Sequence, residues 1–184
     1  MGTLRSTLLR GAVLGAAASA TALAVAEPGL AASAGAPCTS KDIAVRFAVI
    51  PGSAGAGSIS YALQVRKITD NVCSVTGLPR LQLLDAKGKP LPTAQAPAHP
   101  GMATAVLVYL EKGQSAWAQV RFSPDVPGVG EPASGRQCEP TAARIRATVG
   151  VAPATAIGPI VPATPVCSKG RLLVDSLSPA KPTA

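Results

Sequence analysis

Residues 70–91 read DNVCSVTGLPRLQLLDAKGKPL, and the reading of this stretch decides the fold. Asp70-Asn71 is a turn signal. Cys73 and Val75 follow on alternate positions. Gly77-Leu78-Pro79 interrupts, and Leu81, Leu83 and Asp85 resume a period of two. Successive side chains of a strand point to opposite faces, so this spacing predicts strands. Ala86-Lys87-Gly88 predicts a tight hairpin turn, with Gly88 free to take a positive φ. The stretch therefore predicts antiparallel sheet, with a cysteine fixed where one strand begins. It carries no catalytic signal.

The same alternation extends in both directions. Ile43, Val45, Phe47 and Val49 share one face, with Asp42 and Arg46 on the other. Ile59, Tyr61, Leu63 and Val65 alternate with Ser60, Gln64 and Arg66. Residues 51–58, PGSAGAGS, invite a phosphate-cradle reading. They lack the Gly-Lys-Ser/Thr ending and precede a strand, so a flexible hairpin connection is expected. Leu91 to Pro100 reads as a Pro/Ala loop and Ala103 to Leu110 as an apolar strand. Glu111-Lys-Gly113 turns the chain, and Gln114 to Phe122 returns it. Ala118, Val120 and Phe122 take one face there, and Trp117, Gln119 and Arg121 the other. Ser123 to Arg136 reads as a long loop. Ile145, Ala147 and Val149 then alternate with Arg144, Arg146 and Thr148. After a Pro-rich passage, Cys167 leads into a last strand over Arg171 to Leu177, and residues 178–184 have the composition of a loose tail. Eight or so short strands predict one all-β domain over residues 37–177. The expected fold is an antiparallel immunoglobulin-like β-sandwich with two disulfides, and a small β-barrel is the alternative.

Composition agrees with short strands. Pro and Gly number 18 each, which disfavours long helices. The aromatics are two Phe, two Tyr and one Trp, so the core leans on Ala and Val. Such a core buries less area per residue, at roughly 25 cal/mol per Å², and covalent support is useful to it.

Residues 1–26 read as a secretory signal peptide. Arg5 and Arg10 form its basic start, and Gly11 to Ala26 its apolar run. Cleavage is expected after Ala26 and by Ala36. The run is shorter than the ~20 residues of a membrane span. Pro37 stands before Cys38, where a lipoprotein needs a small residue, so no lipid anchor is expected. The formal charge of the whole chain is +8. Losing Arg5 and Arg10 leaves 15 bases against 9 acids, a charge of +6, or +7 if Glu27 leaves too. A positive charge of this size serves solubility and also favours anionic polymers or headgroups.

Export sets an oxidising compartment, where an even cysteine count reads as disulfides. Cys38, Cys73, Cys138 and Cys167 allow three pairings. Cys38–Cys73 and Cys138–Cys167 are preferred because each closes a local loop of about 30 residues, a bridge contributing roughly 3–4 kcal/mol in the chain-entropy model. A Cys₄ zinc site is not expected without close Cys-x-x-Cys pairs.

An early Cys38, the block CSVTGLPRLQLLDAKG over residues 73–88, Cys138, and CSKGRLLV over residues 167–174 resemble a known family. The chain is similar to the secreted actinobacterial proteins grouped as domain of unknown function 4232. The resemblance covers nearly all of the exported part. It departs at Val75, where Leu is more usual, and in the Ala/Pro-rich region from Ala152 to Pro165. It implies no activity and no site.

Known chemistries find little footing. His99 is the sole histidine and sits in a loop between Pro97 and Pro100. A Ser-His-Asp triad would have to use it, and no Gly-x-Ser-x-Gly elbow supplies the serine. Asp42, Asp70, Asp85, Glu111, Asp125, Glu131, Glu139 and Asp175 are available as paired carboxylates, which need a separation of roughly 5–10 Å. Their spacing selects no pair. The disulfides leave no nucleophilic thiol. Nucleic-acid binding is not expected, since bases must be interleaved with aromatics. The expected protein is a secreted or cell-wall-associated monomer with no cofactor. A non-enzymatic binding module at the cell envelope is the first reading, facing a cell-wall polymer or another exported protein. The alternatives are an extracellular hydrolase using paired carboxylates and an interaction or inhibitory protein working through a sheet edge. Trp117, Gln119 and Arg121 form the candidate surface patch, unless the C-terminal half covers Trp117.

Overall fold

The computed structural model describes residues 35–102, 104–131, 138 and 140–184. The expected signal peptide, its cleavage window up to residue 34, and Glu139 lie outside the described residues. Ten strands form among them. They are β1 (Ile43–Val49), β2 (Ile59–Lys67), β3 (Cys73–Val75), β4 (Arg80–Leu84), β5 (Ala94–Pro97), β6 (Val108–Leu110), β7 (Ser115–Phe122), β8 (Ala142–Val149), β9 (Ala154–Thr164) and β10 (Arg171–Val174).

Eight of them make one sheet in the order β4-β8-β9-β1-β2-β7-β10-β5, and β3 pairs with β6 separately. β1 and β2 form an antiparallel hairpin from Ile43↔Lys67 to Val49↔Tyr61. The apolar face read from each alternation points inward: Val45, Phe47, Leu63, Val65, Ala118, Val120, Phe122, Ile145 and Ala147 are all buried. Phe47 and Tyr61 stack at 4.7 Å between ring centroids, with Phe122 at 6.0 Å from Tyr61. The Tyr61 hydroxyl donates to the buried Thr164 hydroxyl at 3.3 Å, and burial raises the phenol pKa above its ordinary value.

The sheet curls until its two edges meet. The Gln95 side chain on β5 accepts the Leu81 N–H at 2.8 Å and donates to the Pro79 carbonyl at 2.7 Å. Beside it, the Leu83 N–H donates to the Thr93 hydroxyl at 3.0 Å, and Gln82 donates to the Leu91 carbonyl at 2.7 Å. The two layers of the expected sandwich are thus halves of one nearly closed, barrel-like sheet. The hairpin turn after β4 forms as read: Gly88 has φ 83°, and its N–H donates to the Asp85 carbonyl at 3.1 Å.

Both disulfides join the expected partners, Cys38 to Cys73 and Cys138 to Cys167, with Cα atoms 4.9 Å apart in each.

Several expectations are corrected. The Ala/Pro-rich passage holds the longest strand, β9. It pairs antiparallel with β8 and, through Ile160 and Val161, parallel with β1. Prolines donate no ladder bond and so masked it as a loop. Gly158 makes the crossing possible, since a Cβ there would lie 1.7 Å from the Val45 carbonyl oxygen. The Leu91–Pro100 loop holds β5, parallel to β10. The sheet is therefore mostly, not wholly, antiparallel. The strand expected over Ala103–Leu110 shrinks to Val108–Leu110, with Val106 and Leu107 exposed. It pairs with β3 and not with β7, because the turn at Gly113 hands the chain from one sheet to the other. The last strand ends at Val174 and not at Leu177. Asp42, expected on an outer face, is buried. Ser178 pairs with Trp117, and residues 181–184 lie beside the outer face of the sheet.

Candidate functional site

Alternation along β7 sends Ala116, Ala118, Val120 and Phe122 into the core and turns Trp117, Gln119 and Arg121 outward. Register then builds the site. Arg46, Gln64 and Trp117 stand in one row across β1, β2 and β7, and Ala48, Ala62 and Gln119 in the next. The alanines end at a methyl group, so the second row sinks below the first and leaves a trough. Gln64 is held by donating to the Ser115 hydroxyl at 2.9 Å. Val49, Ile50 and Pro51 close one end.

Residues 181–184 complete the walls of the resulting cavity, about 640 Å³ in volume. Lys181 Nζ lies 5.6 Å from the centroid of the half-buried Trp117 ring. That geometry is a cation–π contact. Trp117 is therefore covered in part by the C-terminal tail, neither sealed into a core by the C-terminal half nor left as an open patch. The expected patch is also divided. Gln119 donates to the Ser60 hydroxyl at 3.1 Å. Arg121 lines a different cavity of about 320 Å³ together with Ser123, Ser168 and Arg171.

The other candidates fall apart from this site. His99 Nε2 lies 3.6 Å from Asp175 Oδ1, both partly open to solvent. Ser176 and Ser178 line the same cavity of about 260 Å³. Among the described residues no hydrogen bond joins a serine to His99, and the Ser178 hydroxyl donates to the Ala180 carbonyl. A nucleophile needs contact with its base, and that contact is not made.

Most acids have structural partners. Asp70 pairs with Lys112 at 2.7 Å, and Asp85 accepts the Lys87 and Lys89 N–H groups in its turn. Asp42 accepts from the Thr69 hydroxyl at 2.5 Å, the Thr39 hydroxyl at 2.7 Å and the Thr39 N–H at 2.8 Å. The fully buried Lys67 reaches it at 3.3 Å and also donates to the Thr69 carbonyl and to Asn71. The threonine hydrogen bonds, Thr69 first, hold the Asp42 carboxyl well below the usual range.

Glu131 accepts three N–H groups, from Gly128 at 2.7 Å, Ser168 at 2.6 Å and Lys169 at 2.8 Å. These lower its pKa too, Gly128 most. Its oxygen and the Cys138 and Cys167 sulfurs lie within 4.8 Å of one another. The sulfurs are joined to each other, so they offer no thiolate to a metal.

Sequence reasoning missed Arg46, Ala48, Ala62 and Gln64 as wall and floor. An alanine opposite the core face of a strand was the available signal, but its meaning needs the register.

Among the described residues no helix is long and apolar enough to cross a membrane. No curated protein and no solved structure matches the chain. Residues 38–177, from the first bridged cysteine to the last core leucine, match the model of the domain of unknown function DUF4232, and the chain belongs to that family.

Proposed function

We propose that this protein is an exported, non-enzymatic binding module that engages its ligand through the Trp117 face. One observation carries the reading: the outward rows of β1, β2 and β7 form a recess beside the indole of Trp117, the sole outward aromatic of the large sheet among the described residues. Aromatic side chains bring large contact area to such a recess. Two disulfides suit an oxidising compartment. The net positive charge suits partners at an anionic cell envelope.

The test is co-sedimentation of the purified protein with cell-wall sacculi, and its retention on immobilised exported proteins, with and without Trp117→Ala. The expected result is retention that falls at least several-fold in the variant while the melting temperature holds. Equal retention by both proteins overturns the reading. Hydrolysis of glycan, ester or peptide that vanishes on changing one Asp or Glu to its amide would put the carboxylate hydrolase in its place.

A further inference from the structure

The protein's own residues 181–184, Lys-Pro-Thr-Ala, form one wall of the Trp117 recess. The segment enters from Ser178, whose N–H and carbonyl bond the backbone of Trp117 at 2.8 Å each. Past Ser178 the attachment changes character. Among the described residues, no backbone hydrogen bond ties 179–184 to the sheet. Lys181 Nζ stands 5.6 Å from the indole centroid, Pro182 is half-buried, and Pro179, Ala180, Lys181, Thr183 and Ala184 are exposed. The strap lies on the sheet without being woven into it.

The recess and the strap also belong to different parts of the chain. β1, β2 and β7 fall inside the matched family domain, which ends at Leu177, and the strap falls outside it. The floor of the recess and Trp117 lie within the matched residues, and the strap is a segment that packs beside them. It has prolines at 179 and 182, a lysine directly before the second, and small residues after it. Proline fixes its own φ and keeps the preceding residue extended, so such a segment loses little freedom on docking. Aromatic-lined grooves recognise proline-rich segments by this means.

Resting on the reading of the Trp117 face as a binding surface, we propose that the recess docks an extended, proline-containing segment of another protein, with a Lys or Arg directly before a proline, and that residues 179–184 cover it in cis until such a segment displaces them. Tethering gives the strap an effective concentration on the order of millimolar. It therefore shields the indole from weak contacts and yields to a segment with more of them.

The experiment uses a synthetic peptide of the strap's own sequence, SPAKPTA, titrated into the full chain and into a variant lacking residues 179–184. Trp117 is the sole tryptophan, so its emission reports on the recess alone. The deletion variant is expected to bind saturably. The full chain is expected to bind about tenfold more weakly, the loss for a groove open one-tenth of the time. A peptide with alanine for its lysine should bind less tightly, and Trp117→Ala in the deletion background should abolish binding by calorimetry. If the deletion impairs folding, Lys181→Glu in the full chain loosens the strap and should raise peptide affinity instead.

No saturable binding to either variant overturns the inference, as does equal affinity of the full chain and both variants. A full chain that dimerises, and becomes monomeric on deletion, shows the recess taking the strap of a second copy and overturns docking in cis. Trp117-dependent retention on sacculi without peptide binding overturns this inference alone. Loss of both overturns the binding-module reading as well.

Discussion

At the Cys38–Cys73 corner the cysteines are 2% and 1% exposed, and the neighbouring carboxylate of Asp42 faces a lysine with no exposure at all. At the Cys138–Cys167 corner, Cys138 is half-exposed, and the neighbouring carboxylate of Glu131 holds backbone N–H groups at the surface. Both corners combine a disulfide with a carboxylate that ties separate segments. They differ in solvent access, and access decides how much each tie is worth. A buried ion that loses its partner has no water to turn to, whereas an exposed one does.

The largest expected effect comes from Asp42→Ala. It strands the Lys67 ammonium in the interior and should cost about 3–5 kcal/mol in chemical denaturation at neutral pH. Adding Lys67→Met should recover much of that loss. A loss below about 1 kcal/mol, the range of an exposed pair, would erase the contrast between the corners.

Next come the disulfides. Under limiting reductant, alkylation mapping should find Cys138 and Cys167 labelled before Cys38 and Cys73, because reductant reaches a half-exposed sulfur first. Removing the Cys38–Cys73 bridge by double alanine substitution should cost about 2–5 kcal/mol.

Acid sharpens the comparison further. Both carboxyls have folded pKa values below their ordinary 3.8 and 4.5. Each therefore stabilises the fold above its unfolded pKa, and that contribution disappears as pH falls through the folded value. Stability should stay level from neutral pH to about pH 5 and decline below it. Asp42→Asn should flatten the acid decline more than Glu131→Gln does.

The smallest effect is that of Glu131→Gln at neutral pH. It should lower the melting temperature slightly and speed amide hydrogen exchange at Gly128, Ser168 and Lys169 while leaving the sheet core unchanged. Exchange that rises across β7 and β10 as well would mean that this corner supports the core after all.

Much of this architecture was legible in the alternation of residues. Ile43 to Val49, Ile59 to Val65 and Ala116 to Phe122 each bury one face, so a period of two located both strand and core. Local cysteine spacing located both bridges. β9 was not legible, because Pro159 and Pro162 look like breakers until the strand is seen to change partners between β8 and β1. β5 was hidden for another reason: its pairing is parallel to a strand nearly eighty residues away, and no local pattern encodes such a partner. The Trp117 face was half legible. Alternation turned Trp117 outward, but the trough beneath it depends on Ala48 and Ala62 being register partners. Lys67 breaks the pattern in the opposite sense, being a charged residue that the alternation sends inward and that Asp42 accommodates there.

The Gln95 amide, described above as joining β4 to β5, also decides what the molecule offers its neighbours. An open sheet presents a row of unpaired backbone groups at each rim, and a strand from another chain can add there without limit. Here the two rims face each other, and the side chains of Gln95, Thr93 and Gln82 stand in for the missing ladder between them. The large sheet is a nearly closed ring whose seam is clasped by polar side chains. A neighbouring chain then meets side chains instead of a growing edge. The seam joins the rims through side chains and not through a backbone ladder, so exposing those rims to another chain requires these side-chain bonds to break first.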